Sequence, residues 1–186
     1  MTEFILHALP LAGLFSVQHM RHADERGHFS RIFCEGSLSQ SGQPFHIRQI
    51  NHSCTREKGT VRGLHYQSAE RPEAKLISCL KGEVWDVAVD LRTGSATFLH
   101  WHAEHLRAGD GRSLLLPAGF AHGFQALTDD VELLYLHSAD YSPGHEAGLS
   151  VSDPRLGITW PLPVKNLSER DISHALLDAR FSGVCV

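Results

Sequence analysis

Several things are scarce in this sequence, and each scarcity excludes a class of protein. The four cysteines, Cys34, Cys54, Cys79 and Cys185, are spread along the chain with no CxxC or CxxH pair. That spacing is neither a zinc framework nor a disulfide framework, so free and mostly buried thiols are expected. No stretch reaches the roughly 18 apolar residues of a membrane span. Basic charge is not in excess, since 17 Lys and Arg stand against 21 Asp and Glu for a net charge of −4. Extended nucleic-acid binding is therefore not expected, and any anion must be held by a few local arginines and lysines. The opening "MTEFILHALPLAGLFSV" carries Glu3, lacks a basic start and is interrupted by Pro10. It reads as a first strand and not as a secretory leader, which points to the cytoplasm. No linker, repeat or low-complexity tract divides the chain, so a single domain over 1–186 is expected.

What the chain does have is short apolar and β-branched runs bounded by turn residues. Examples are "FHIRQINHS", "KLISCLKG", "EVWDVAVDLR", "ATFLHWHAEHL", "RSLLLPAGF" and "VELLYLHSADY". In one of them Val84, Asp86, Ala88 and Asp90 alternate with Trp85, Val87, Val89 and Leu91. Period-two patterning of this kind predicts an all-β domain, an antiparallel sandwich or barrel, with jelly-roll topology a way to protect the sheet edges. One helix is predicted after "LSERD", where Ile172, Ala175, Leu176 and Ala179 fall at helical spacing and Ser168 with Asp171 can form a capping box.

The chain is also rich in histidine, with 14. In "VRGLHYQ" Arg62 stands three positions before His65, and Lys75 opens a later strand. Further along come His122 in "GFAHGF", Tyr135 in "LLYLHS" and Tyr141 in "ADYSP". Separate strands thus offer a base, a cation, an acid and aromatic surfaces. Inverting a carbon beside a ketone uses such a set. A base of near-neutral pKa removes the α-proton, a hydroxyl returns one from the other face, and a fixed charge steadies the enolate. Each residue also has a plainer role. A strand histidine is by default a hydrogen-bonded core or surface residue, and Asp171 is a natural helix cap. Tyr135 and Tyr141 serve equally as core or rim aromatics, and Arg26 pairs readily with Asp24 or Glu25 at a turn. The HxH pair His100 and His102, with Glu104 close behind, is the one candidate for a cupin metal site. It lacks the usual glycine-flanked spacing, and His65 has no histidine partner in view, so no metal is expected.

Taken in order, these segments resemble the dTDP-4-dehydrorhamnose 3,5-epimerases, cupins of deoxysugar biosynthesis. The matching stretches are "DERGHF" (24–29), "RQINHS" (48–53), "GTVRGLHYQ" (59–67) and "AKLISCLKGEVWDVAVDLRTGSATF" (74–98). They continue with "LLLPAGFAHGFQAL" (114–127), "ELLYLHSADYSPGHEAG" (132–148), "DPRLGITWP" (153–161) and "LSERD" (167–171). The resemblance implies a cupin-type jelly roll with a short C-terminal helical tail. It also implies a homodimer that needs no metal or redox cofactor and acts on a nucleotide-linked 4-keto-6-deoxy sugar. On this chain it makes His65 the general base, Asp171 its partner, Tyr135 the acid and Lys75 the group that steadies the enolate. It puts His122, Gln49 and Asn51 in the sugar pocket, Arg26 and Arg62 on the diphosphate, and Phe29 and Tyr141 against the nucleotide base.

The sequence departs from the family pattern after "RGHF", where Ser30 and Arg31 replace an aromatic and a glutamate. A guanidinium in place of a carboxylate changes the charges offered to the nucleotide. That leaves open a CDP- or GDP-linked sugar, and inversion at C3 or C5 alone. Other readings are a ketoisomerase and a non-catalytic sugar-nucleotide-binding cupin.

Overall fold

The computed structural model describes residues 4–186. The opening apolar run is a hairpin and not one strand. β1 (Phe4–Ala8) and β2 (Phe15–His19) pair antiparallel across a connection that holds Pro10, which has no N–H for a ladder. The part of that run before Phe4 lies outside the described residues. A second hairpin follows, β3 (Arg21–Asp24) and β4 (Gly27–Ser30), and then a single helical turn, α1 (Glu35–Leu38).

The remaining strands are β5 (Gln49–Thr55), β6 (Val61–Gln67), β7 (Lys75–Lys81), β8 (Glu83–Asp90) and β9 (Trp101–Arg107). After them come β10 (Arg112–Leu116), β11 (Phe120–Ala126), β12 (Val131–His137) and β13 (Glu146–Gly148). They form two antiparallel sheets, one in the order β1-β2-β10-β7-β12-β5 and the other β13-β6-β11-β8-β9. The architecture is the cupin-type jelly roll.

Alternation decides what each face does. Ile77, Leu114, Leu116 and Leu133 of the first sheet meet Val84, Ala88, Phe120 and Phe124 of the second in the central core. Their neighbours point the other way. Leu76, Leu115 and Leu136 pack outward with Leu38 and Phe45 of the segment between β4 and β5. On the opposite outer face Val61, Leu64, Val87 and Val89 are covered by Leu149, Val151, Leu156 and Val184. Both faces of the central strands are therefore apolar, which is why "SLLL" reads as an unbroken run.

The C-terminal helix is shorter than its spacing suggests. α2 spans Glu169–Ser173, with Ser168 at its N-cap accepting a 3.1 Å hydrogen bond from the Asp171 N–H. Half of the expected capping box is present, since the Asp171 carboxylate turns to His65, and Ala175, Leu176 and Ala179 are not helical. Ile172 and Leu176 are exposed, so the periodic stripe has no surface to bury. The chain after His174 instead follows tertiary anchors, with the Leu177 N–H on Asp153 Oδ2 and Leu177 and Phe181 against the outer cluster.

Candidate active site

At one end of the barrel the inward side chains turn polar and enclose a cavity of about 530 Å³. His65 on β6 and His122 on β11 face it from one sheet, and Lys75 on β7, Tyr135 on β12, and Gln49 and Asn51 on β5 from the other. Alternation brings most of them there. Tyr135 follows Leu133 in the inward series, and Lys75 precedes Ile77.

His65 needs a further device. In a regular strand, residues three apart point to opposite faces, yet Arg62 and His65 both line the cavity. The register passes from His122↔His65 to Phe124↔Arg62, so β6 takes three steps where β11 takes two. That bulge contains Gly63 at φ +132°, where a Cβ would lie 2.5 Å from Gly123 Cα, so only glycine fits.

His65 Nε2 is 2.6 Å from Asp171 Oδ1. Asp171 is buried on α2, and its N–H rather than its carboxylate makes the cap, so the capping and pairing roles coexist. Burial pushes the His65 imidazole below its usual value of 6.5, and the Arg170 and Lys75 charges act in the same direction, whereas Asp171 opposes them. With Nε2–H donating to Asp171, the other ring nitrogen keeps the lone pair that a base requires.

On the facing sheet, burial raises the Tyr135 hydroxyl well above its ordinary range. Its oxygen accepts a long 3.4 Å hydrogen bond from Ser53 Oγ. The His122 ring meets Tyr135 edge-on at 6.0 Å, and His122 Nε2 is 2.9 Å from the fully buried Asp86. Lys75 Nζ lies 3.2 Å from Glu73, which also holds His137 Nδ1 at 2.8 Å. Gln49 donates to Asn51 Oδ1 at 3.1 Å, and its own Oε1 accepts from the Tyr141 N–H at 3.0 Å. At the rim the Tyr141 hydroxyl donates to Glu146, which also accepts from both terminal guanidinium nitrogens of Arg170. Arg62 reaches a second cavity of about 690 Å³ on the α2 side.

Arg26 and Phe29 are not brought to this cavity. They sit on the β3–β4 hairpin, where Arg26 pairs with Asp24 at 2.5 Å and the Phe29 ring is 67% exposed. The base of that hairpin packs beside Ser78, Cys79 and Leu80, at the far end of β7 from Lys75. At 3.3 Å per residue this is about 16 Å along the strand.

Two expectations about metals and thiols need correction. His65 does have a histidine neighbour, since the ring of His174 lies 6.2 Å away and its Nε2 is 3.9 Å from Asp171 Oδ1. Sequence spacing could not show this, because 109 positions separate the two and Gly148 gives the His174 ring its space. Donor atoms of His65, Asp171 and His174 lie within 4.8 Å of one another. The 2.6 Å between His65 and Asp171 is a hydrogen-bond distance, shorter than the roughly 3.3 Å between ligand atoms in a tetrahedral site. The HxH pair lies apart from the cavity: His100 is exposed, and His102 bonds Glu104 at 2.8 Å. Cys54, Cys79 and Cys185 are free thiols, but only Cys79 is buried, its thiol pushed up to about 12 by desolvation, whereas Cys54 and Cys185 are exposed.

Among the residues in or beside the cavity that sequence patterning does not single out are Glu73, Asp86 and His137. Period two would have found each of them, counting from Lys75 to Glu73, from Val84 to Asp86 and from Tyr135 to His137.

The chain is similar to known proteins over nearly its whole length. Residues 8–179 match the family described as dTDP-4-dehydrorhamnose 3,5-epimerase. The chain is 38% identical over 176 residues to the dTDP-4-dehydrorhamnose 3,5-epimerase of Sinorhizobium fredii, which covers 94% of this chain and 90% of that one. It is similar to the solved dTDP-6-deoxy-D-glucose-3,5-epimerase of Legionella pneumophila in complex with dTDP-4-keto-L-rhamnose. There the TM-score is 0.89 at 35% identity, over 97% of this chain and 98% of that one. A 3'-monoepimerase from Streptomyces bikiniensis, in complex with dTDP-quinovose, gives a TM-score of 0.85 at 35% identity over 91% and 86% of the two chains. Sequence, fold and the match along nearly the whole chain converge, and the protein belongs to the dTDP-4-dehydrorhamnose 3,5-epimerase family.

Proposed function

We propose that the protein inverts C3 and C5 of dTDP-4-dehydro-6-deoxy-D-glucose to give dTDP-4-dehydro-L-rhamnose, by proton removal and return beside the ketone. The observation that carries this reading is a carboxylate-held imidazole on one sheet facing a buried phenol on the other, across one cavity. His65 takes the α-proton, and Asp171 stabilises the imidazolium that forms. The Lys75 ammonium steadies the charge on the enolate oxygen. Tyr135 then gives its hydroxyl proton to the opposite face of the carbon. His122, fixed by Asp86, lines the sugar together with Gln49 and Asn51. Arg62 takes the diphosphate, and Tyr141 flanks the base. The chemistry moves protons only, so it calls for no electron carrier.

Arg26 and Phe29 lie too far along the barrel to serve the cavity of their own protomer. An exposed Phe29 on a projecting hairpin supports a homodimer in which each hairpin completes the partner's nucleotide site. We assign the reaction to the cytoplasm as a single-domain enzyme.

Incubation of dTDP-4-keto-6-deoxyglucose with the protein in deuterated water tests the reading by NMR. Deuterium at both C3 and C5 is expected. Uptake at one carbon alone would make the protein a single-site epimerase, as the similarity to a monoepimerase allows. Failure of any nucleotide-linked keto sugar, dTDP, CDP or GDP, to exchange protons would overturn the catalytic reading. His65→Ala and Tyr135→Phe should each lower turnover by about 10²–10⁴-fold while the fold persists by circular dichroism.

A further inference from the structure

Under the mechanism above, each inversion leaves a proton on His65 and removes one from Tyr135. The imidazolium is half-buried and can shed its proton to solvent. The phenolate has a harder task, because burial disfavours its charge and its one side-chain hydrogen bond comes from Ser53 at 3.4 Å. Something beside it must return a proton before the next inversion.

The structure places a second histidine–carboxylate pair there. His137 lies two residues beyond Tyr135 on β12, and the two rings stack at 6.0 Å with 20° between their planes. Its Nδ1 is 2.8 Å from Glu73 Oε1, and its Nε2 lies 3.3 Å from Asn51 Nδ2. With the amide donating to Nε2, the ring is the neutral tautomer that gives its Nδ1–H to Glu73. That arrangement mirrors His65 and Asp171 on the facing sheet. Burial alone would raise the Glu73 carboxyl, but the hydrogen bond from His137 and the Lys75 charge outweigh it and keep the group ionised. A carboxylate in that position holds the ring in one orientation. His137 and Glu73 both line the cavity of His65, Lys75 and Tyr135.

We infer that His137, oriented by Glu73, is the proton donor that restores Tyr135 after each inversion. The inference rests on the epimerase reading above. The balance is complete. The carbon loses its proton to His65 and gains one from the Tyr135 hydroxyl. Solvent protonates Nε2 of His137 in place of the Asn51 hydrogen bond, and the phenolate oxygen takes that proton through water. His137 then returns to its neutral form and is reprotonated from solvent, as His65 is deprotonated to it.

Chemical rescue tests this. His137→Ala is expected to lower kcat at least tenfold with KM changed less than twofold, and added imidazole should restore kcat in a saturable way. His137→Asn keeps a donor for Glu73 but cannot carry a proton, so it should show the same loss and the same rescue even if the alanine variant folds poorly. Tyr135→Phe should not respond to imidazole. Unchanged kcat in His137→Asn overturns the inference, as does a loss that imidazole leaves unrepaired. Both outcomes are read against wild-type turnover, whose absence would instead count against the epimerase reading itself.

Discussion

At the scale of single residues, the two groups proposed to handle protons are displaced in directions that would set the pH profile. Burial holds His65 below 6.5, and the base works only when neutral. The acid limb of kcat/KM should therefore fall below pH 6.5 and not above it. Asp171 is the group that raises the His65 value, so Asp171→Asn should move that limb to still lower pH while reducing the plateau rate. An acid limb that moves upward in this variant would contradict the assigned pairing. Burial raises Tyr135, so its hydroxyl stays protonated beyond pH 10 and contributes no alkaline limb below that point. Much of this was legible in the sequence, because "RGLHYQ", "LLYLHS" and "LSERD" name His65, Tyr135 and Asp171 in order. Glu73, Asp86 and His137 were not picked out. Their meaning depends on which face of a strand they occupy, and that becomes evident once one neighbour on the same face is fixed.

At the scale of elements, the bulge in β6 is the feature on which the orientation of His65 depends. Gly63→Ala places a Cβ against the backbone of Gly123 and forces a positive φ on alanine. It should destabilise the protein by about 3 kcal/mol or more, seen as a lower Tm and denaturant midpoint, and should lower turnover further by turning His65. Gly36→Ala is the matched control. It lies in α1 with open space around its Cβ position and should melt within about 0.5 kcal/mol of the parent. Alternation revealed the strands, yet the helix after "LSERD" was overrun in the reading. The 3.6-residue stripe there points to solvent at Ile172 and Leu176, and the contacts that place Leu177 and Phe181 come from distant residues. Local spacing carries no record of such anchors.

At the scale of the whole molecule, the prediction concerns how protomers share a site. If each β3–β4 hairpin serves the partner, His65→Ala and an Arg26→Ala/Phe29→Ala variant are defective in different halves of the same composite site. Each should be nearly inactive alone. Mixed in equal amounts and allowed to exchange subunits, they should recover activity in about a quarter of the sites, since half the dimers are mixed and each holds one intact site. No recovery on mixing would show that base and hairpin belong to one protomer.

The jelly roll is complete by Gly148, but Asp171 lies on the tail that follows it, capped by Ser168 and tied down through Leu177 and Val184. The strands and the proposed catalytic pair are therefore supplied by different parts of the chain. A chain cleaved or stalled after β13 retains every strand and keeps His65, but without the carboxylate beside it. Under the proposed mechanism, turnover thus reports whether the segment after β13 is docked, which no sheet of the barrel can report by itself.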